Sequence, residues 1–265
     1  MTNRKSLFLP ALLTAALAPT PSSARQDHES IVLADYAEGS NACVVIYDTE
    51  ADQYLVHGLE QCMERLAPCS TFKIPNALIG LETGVLSGPG DLKEWDGTEH
   101  SRKVNNQDHD LGSAIENSVL WYFQDVALDV GPERMQSWLE RFDYGNHDIS
   151  GGQDRFWLGS SLQITAFEQI RFMNALDQGA LPASPDKQQT VEDMMLQHKN
   201  LPDGIEGEVY GKTGSCVGKE TDHGWFTGFY HRDGKRWVFA VNVKGKEQWG
   251  WHARGIAINV LNNIP

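Results

Sequence analysis

Positive charge is scarce in this chain of 265 residues. Its 22 Lys and Arg face 36 Asp and Glu, for a formal charge of −14. That balance excludes a nucleic-acid-binding protein that works through a basic surface. An anionic ligand must be drawn in by a few local cations rather than by the global field. The nine His form no H-E-x-x-H or H-x-H-x-D pattern, which argues against a zinc hydrolase and for a site without metal. The Asp108-His109-Asp110 cluster reads instead as a solvated loop. No apolar run approaches the ~20 residues of a membrane-spanning helix. Internal repeats and low-complexity linkers are also missing. Cysteine is sparse, at four residues.

What is present reads as an exported globular protein. Arg4-Lys5, the short apolar stretch from Leu7 to Ala18 broken by Pro10, and the small residues Ser22-Ser23-Ala24 form a cleavable signal peptide over residues 1–24. The mature chain, 25–265, is expected in the periplasm, off the membrane, as a monomer or homodimer. Apolar content of 40% and charged content of 22% are those of a folded domain, here one large unit or two tightly packed lobes. An oxidising compartment gives the cysteines a structural role. Cys43 starts one extended run and Cys62 follows the next, so a hairpin turning at Asp48 to Asp52 can bring them near each other. Cys69 and Cys216 are the other two. Four cysteines allow three pairings, and spacing does not choose among them.

Periodicity predicts a mixed α and β chain. Strands are expected at Cys43–Asp48, Tyr54–His57, Gly207–Gly214, Gly224–Tyr230 and Trp237–Val243, the last two joined by a tight Asp233-Gly234 turn. Helices are expected at Ala114–Val130, Glu133–Phe142 behind Pro132, Thr165–Leu176, Thr190–His198 and Gly250–Leu261. Strands at both ends with helices between them suggest one sheet built from both termini.

Two short segments carry chemistry. S-x-x-K occurs twice, at Ser70-Thr71-Phe72-Lys73 and at Ser184-Pro185-Asp186-Lys187. The second copy lies in a polar stretch that reads as a solvated loop. The first opens the apolar run from Phe72 to Leu81, which predicts a buried helix with Ser70 as N-cap. Residues three apart share a helix face, so Lys73 can reach Ser70. A buried lysine loses its charge readily and can then take the hydroxyl proton. Lys212-Thr213-Gly214, at the end of a strand, is the rarer motif. S-x-x-K with K-T-G marks serine enzymes that open β-lactam rings or cross-link peptidoglycan.

Further pieces follow in order: Pro75-Asn76-Ala77, Gly80 to Gly84, Ser118-Val119-Leu120, Tyr144-Gly145-Asn146 and Phe156-Trp157-Leu158. With them the mature chain resembles the class D, oxacillinase-type serine β-lactamases over essentially its whole length. The resemblance implies an α+β fold of the β-lactamase/transpeptidase type, with an antiparallel sheet flanked by helices beside an all-helical lobe. It implies Ser70 as nucleophile and Lys73 as general base, carboxylated by CO2 on Nζ with no other cofactor. Trp157 would donate its indole N–H to that carbamate, and Ser118 would pass a proton to the β-lactam nitrogen. Lys212, Thr213, Gly214 and Arg254 would hold the substrate, with backbone N–H groups of Ser70 and Ser215 as oxyanion hole. Leu120 stands where the family usually writes Val, beside the modified lysine, and Val104 where many members have Trp. If Ser70 and Ser215 converge, their neighbours do too. A resemblance to some class A carbapenem-hydrolysing enzymes then implies Cys69–Cys216, leaving Cys43–Cys62. A penicillin-binding transpeptidase and a sensor domain that stays acylated share the leading motifs; the sensor belongs to a membrane-spanning chain.

Overall fold

The computed structural model describes residues 33–37, 41–197, 201, 205–217 and 222–264. The signal peptide and His198 lie outside the described residues. A five-stranded antiparallel sheet runs β2-β1-β5-β4-β3, with β1 at Ala42–Asp48, β2 at Gln53–His57, β3 at Glu208–Cys216, β4 at His223–Arg232 and β5 at Lys235–Lys244. Both ends of the chain contribute, as expected: β1 pairs with β5 from Ala42↔Val243 to Asp48↔Trp237. Asp233 (φ 52°) and Gly234 (φ 78°) make the left-handed turn that a two-residue hairpin needs.

The sheet is covered on both faces, so its central strands are buried on both. Alternate residues of β1 point to opposite cores. Ala42, Val44 and Ile46 join Phe226, Phe239 and Val241 beneath the C-terminal helix. Cys43 and Val45 join Phe229, Val238 and the helical part. The helices are α1 (Leu59–Met63), α2 (Lys73–Glu82), α3 (Leu111–Glu116), α4 (Leu120–Val130), α5 (Pro132–Arg141), α6 (Ala166–Asp177), α7 (Pro185–Asp193) and α8 (Gly250–Asn263). Helix α8 packs on β4, β5 and β3, while α6 packs on β5, β4 and β1. Helices α2, α4 and α5 pack in sequence, with α3 and α7 against them.

Four expectations need correction. The helix expected over Ala114–Val130 is two helices, broken at residues 117–119. Ser118 has φ 55°, left-handed backbone that ends the helical hydrogen-bond ladder. Ser70 is not an N-cap: it lies inside a 3-10 turn, Cys69–Phe72, that runs straight into α2. The second S-x-x-K copy is not a loop but the start of α7. Ser184 is its N-cap residue and Pro185 sits in its first turn, where the missing N–H costs nothing; the helix expected at Thr190–His198 therefore begins earlier and ends at Asp193. His109 is buried, 1% exposed, between Ser113 Oγ at 3.0 Å and the Val104 carbonyl at 2.7 Å. Its neighbour Asp110 caps α3, so these two are structural, while Asp108 is exposed as expected.

Both disulfides form with the implied pairing, at Cα separations of 5.1 Å for Cys43–Cys62 and 5.8 Å for Cys69–Cys216. The hairpin β1–β2 swings the chain back so that Cys62, on α1, meets Cys43 inside the buried core they share.

Candidate active site

The 3-10 turn carrying Ser70 rests against the end of β3. A Cβ placed on Gly214 would lie 2.7 Å from the Pro68 carbonyl oxygen and 3.2 Å from the Thr71 nitrogen. Only glycine lets strand and turn approach so closely. The turn is held at three further points. Cys69 is bonded to Cys216 on β3, its N–H donates to the Trp157 carbonyl at 3.0 Å, and the preceding Ala67 carbonyl accepts from His223 Nε2 at 2.9 Å and Trp225 Nε1 at 3.0 Å.

Two lysine–serine pairs meet there. Lys73 Nζ is 2.8 Å from Ser70 Oγ, and Lys212 Nζ is 2.9 Å from Ser118 Oγ. The pair on α2 satisfies the three-residue spacing. The second joins residues 94 apart in sequence, and the left-handed Ser118 aims its hydroxyl out of the α3–α4 break at β3. Both amines are buried, at 0% and 5% exposed. Burial, then the nearby charges of Lys212 and Arg102, push the Lys73 ammonium well below its ordinary range. Burial, with Arg102 adding to it, lowers Lys212 to about 7. An uncharged Lys73 is a proton acceptor for Ser70.

Trp157 is fully buried and stacked on Phe72 at 5.2 Å. Its indole Nε1 has no hydrogen-bond partner, an exception for a buried donor. Thr213 and Lys212 line a cleft of about 690 Å³ together with Arg102, Gln197, Trp251 and Arg254. Arg254 Nε reaches Gln197 Oε1 at 3.3 Å. Ser215 presents an exposed side chain whose Oγ accepts from Gly250 N at 2.9 Å, which ties β3 to the start of α8.

The chain matches the family model "Penicillin binding protein transpeptidase domain" over residues 35–264. It is 37% identical to the "Probable beta-lactamase YbxI" of Bacillus subtilis over 91% of its own length and 88% of that protein's. It is also 37% identical to "Beta-lactamase OXA-10" of Pseudomonas aeruginosa, over 78% of this chain and 77% of that one. The solved structure "Class D beta-lactamase BAT-2" superposes with TM-score 0.80 at 38% identity, covering 86% of this chain and 93% of the other. The chain belongs to the class D β-lactamases. "Regulatory protein BlaR1" of Bacillus licheniformis is 33% identical over 82% of this chain but 36% of its own, longer one.

Within this class D β-lactamase, Ser70, Lys73, Ser118, Lys212, Thr213 and Gly214 converge, and Arg254 joins them along the cleft. Leu120 opens α4 and packs, half-buried, against the main core. Val104 sits half-buried in the turn Lys103–Asn105, which Trp121 pins by donating Nε1–H to the Asn105 carbonyl at 2.9 Å. Several cleft residues were not legible as site residues, among them Arg102, Gln197 and Trp251. Trp251 had a signal, since it precedes Arg254 by three positions and so shares its helix face. Arg102 lies in a segment without periodicity and had none, while Gln197 falls in the helix expected over Thr190–His198 and in the structure lies past that helix's end at Asp193.

Proposed function

We propose that this enzyme hydrolyses β-lactams through a covalent acyl-enzyme on Ser70. The observation that carries the reading is the pair of buried lysine–serine contacts, Lys73 to Ser70 and Lys212 to Ser118. Ser70 Oγ gives its proton to uncharged Lys73 and attacks the lactam carbonyl. The C–O bond to Ser70 forms, the ring C–N bond breaks, and Ser118 delivers a proton to the departing nitrogen, replenished from Lys212. The proton held by Lys73 then returns to Lys212 by way of Ser118, which frees Lys73 to take a proton from water. The resulting hydroxide adds to the ester carbonyl, the C–O bond to Ser70 breaks, and Lys73 gives that proton to the departing Ser70 oxygen. Backbone N–H groups of Ser70 and Ser215 act as oxyanion donors, each worth roughly 2.7–4 kcal/mol in systems of this kind. Thr213, Lys212 and Arg254 hold the substrate carboxylate.

Lys73 and Trp157 are the residues that would hold a CO2-derived carbamate. An uncharged buried amine captures CO2, and the unpartnered Trp157 Nε1 suits an anionic oxygen. The group would supply an anionic base in place of a free amine. Carbapenems extend the proposed substrate range, supported by the disulfide that ties the residue before Ser70 to the one after Ser215.

Purified mature protein is expected to turn over a chromogenic cephalosporin. Ser70→Ala removes the only atom that holds the acyl group and abolishes turnover, whereas Ser184→Ala on α7 leaves it near wild type. Activity should fall in degassed buffer and return with bicarbonate; full activity without CO2 would reject the carbamate and leave free Lys73 as base. A second reading has support in the match to BlaR1: a sensor that acylates and does not deacylate. It would give a stoichiometric burst, one acyl group per chain by mass spectrometry, and no steady state.

A further inference from the structure

The start of α8 exposes a large aromatic side chain beside the substrate cleft. Trp251 is 64% exposed, a large area of apolar ring left to water. It lines the same cleft as Lys212, Thr213 and Arg254, with the half-buried Met194 and Leu196. Its position is firmly set. A Cβ on Gly250 would lie 2.6 Å from the Gly214 carbonyl oxygen and 3.0 Å from Thr213 Cβ, so the helix start is wedged against the K-T-G strand. Gly250 N donates to Ser215 Oγ at 2.9 Å. The ring itself lies against the ring of His252, centroids 3.3 Å apart, and His252 Nδ1 accepts from Trp249 N at 3.0 Å. Trp251 and Arg254, three positions apart on α8, face the cleft side by side.

We infer that Trp251 is a specificity-determining residue that stacks on a flat heteroaromatic substituent, carried on the same substrate ring as the carboxylate. The inference rests on the cleft being a β-lactam site. A carboxylate held by Thr213, Lys212 and Arg254 places the neighbouring substituent of that ring towards Trp251. Stacking covers an indole face that is otherwise hydrated, while Met194 and Leu196 offer an apolar lining. A substituent without a ring leaves the indole in water and gains nothing. Because the indole is already braced by His252 and by the packing of Gly250, little ordering opposes the contact.

Two cephalosporins with the same acyl side chain test it, one with a methyl group and one with a heteroaryl ring beside the carboxylate. The wild-type protein is expected to favour the ring-bearing compound in KM by about five- to tenfold, the range of one aromatic pair plus the area it covers. Trp251→Ala should erase that preference and change the methyl compound by less than about twofold, and Trp251→Phe should restore most of it. Equal loss for both compounds, or no loss for either, overturns the inference. Turnover of the methyl compound reports separately on β-lactam hydrolysis itself. Calorimetric binding of both compounds to Ser70→Ala protein gives the same preference without turnover, and an equal affinity there overturns the inference even if hydrolysis fails.

Discussion

Lys212 has two states within reach of neutral pH, and its two tasks oppose each other. It must be charged to attract the substrate carboxylate, yet burial lowers it to about 7. Lys73 must be uncharged to accept from Ser70, and the same burial supplies that. The profile of kcat/KM reports groups on the free enzyme. It is expected to fall on the alkaline side from about pH 7 as Lys212 loses its proton. Arg keeps its charge throughout, so Lys212→Arg should move that limb beyond the measurable range even though it raises KM. An unmoved limb would assign it to another group. Stability follows with its own sign. Between about 7 and the ordinary 10.5 of a lysine the unfolded chain holds the extra proton, so the folded state gains as pH rises through that window.

At the scale of elements, the site depends on how close β3 can come to the Ser70 turn. Gly214→Ala inserts a methyl group 2.7 Å from the Pro68 oxygen, between backbones that cannot retreat cheaply because Cys69–Cys216 crosses at the same place. Overpacking of this kind costs about 1–3 kcal/mol. Displacing Ser70 from the strand by about 1 Å is expected to reduce acylation on the order of 100-fold. Stopped-flow acylation checks it, and a near-wild-type rate would mean that turn and strand separate freely. The sequence displayed this element well in part. K-T-G on a strand, which runs on to Cys216, the Asp233-Gly234 hairpin, and Thr165 capping α6 with Glu168 three positions on all follow from local chemistry. The break at Ser118 did not show, because apolar residues recur at helical spacing straight through it. Its left-handed backbone is closed by the helix-end bonds from Ser118 N to the Ile115 carbonyl and from Val119 N to the Ala114 carbonyl, with a serine where glycine would ordinarily announce such an end. Helix α7 hid for a different reason: its buried Gln188 bonds the chain at Leu181, Gly179 and Ala183, so a polar residue fills a place the periodicity reserves for apolar ones.

For the whole molecule, the two disulfides restrain very different lengths of chain. Cys43–Cys62 closes a separation of 19 residues and Cys69–Cys216 one of 147. On the chain-entropy model these are worth about 3 and about 5 kcal/mol. Denaturant unfolding of the two double Cys→Ser variants should rank them in that order, with lost activity confined largely to the Cys69/Cys216 variant. Equal stability of oxidised and reduced wild-type protein would remove the structural role of both bonds.

The pairing of β1 with β5 has a consequence for the order of events at birth. The first strand can pair at once with β2, but its neighbour on the other side is missing until nearly the whole polypeptide has been delivered, since Ala42 waits for Val243. Contacts across such separations form late and slowly. The helical segments between them can condense first, with Ser70 already on the chain but without the strand that completes its surroundings. Catalytic competence should therefore arrive in one late step, with the last hairpin, and a ribosome-released or refolding chain should gain activity no earlier than that hairpin gains protection from amide exchange.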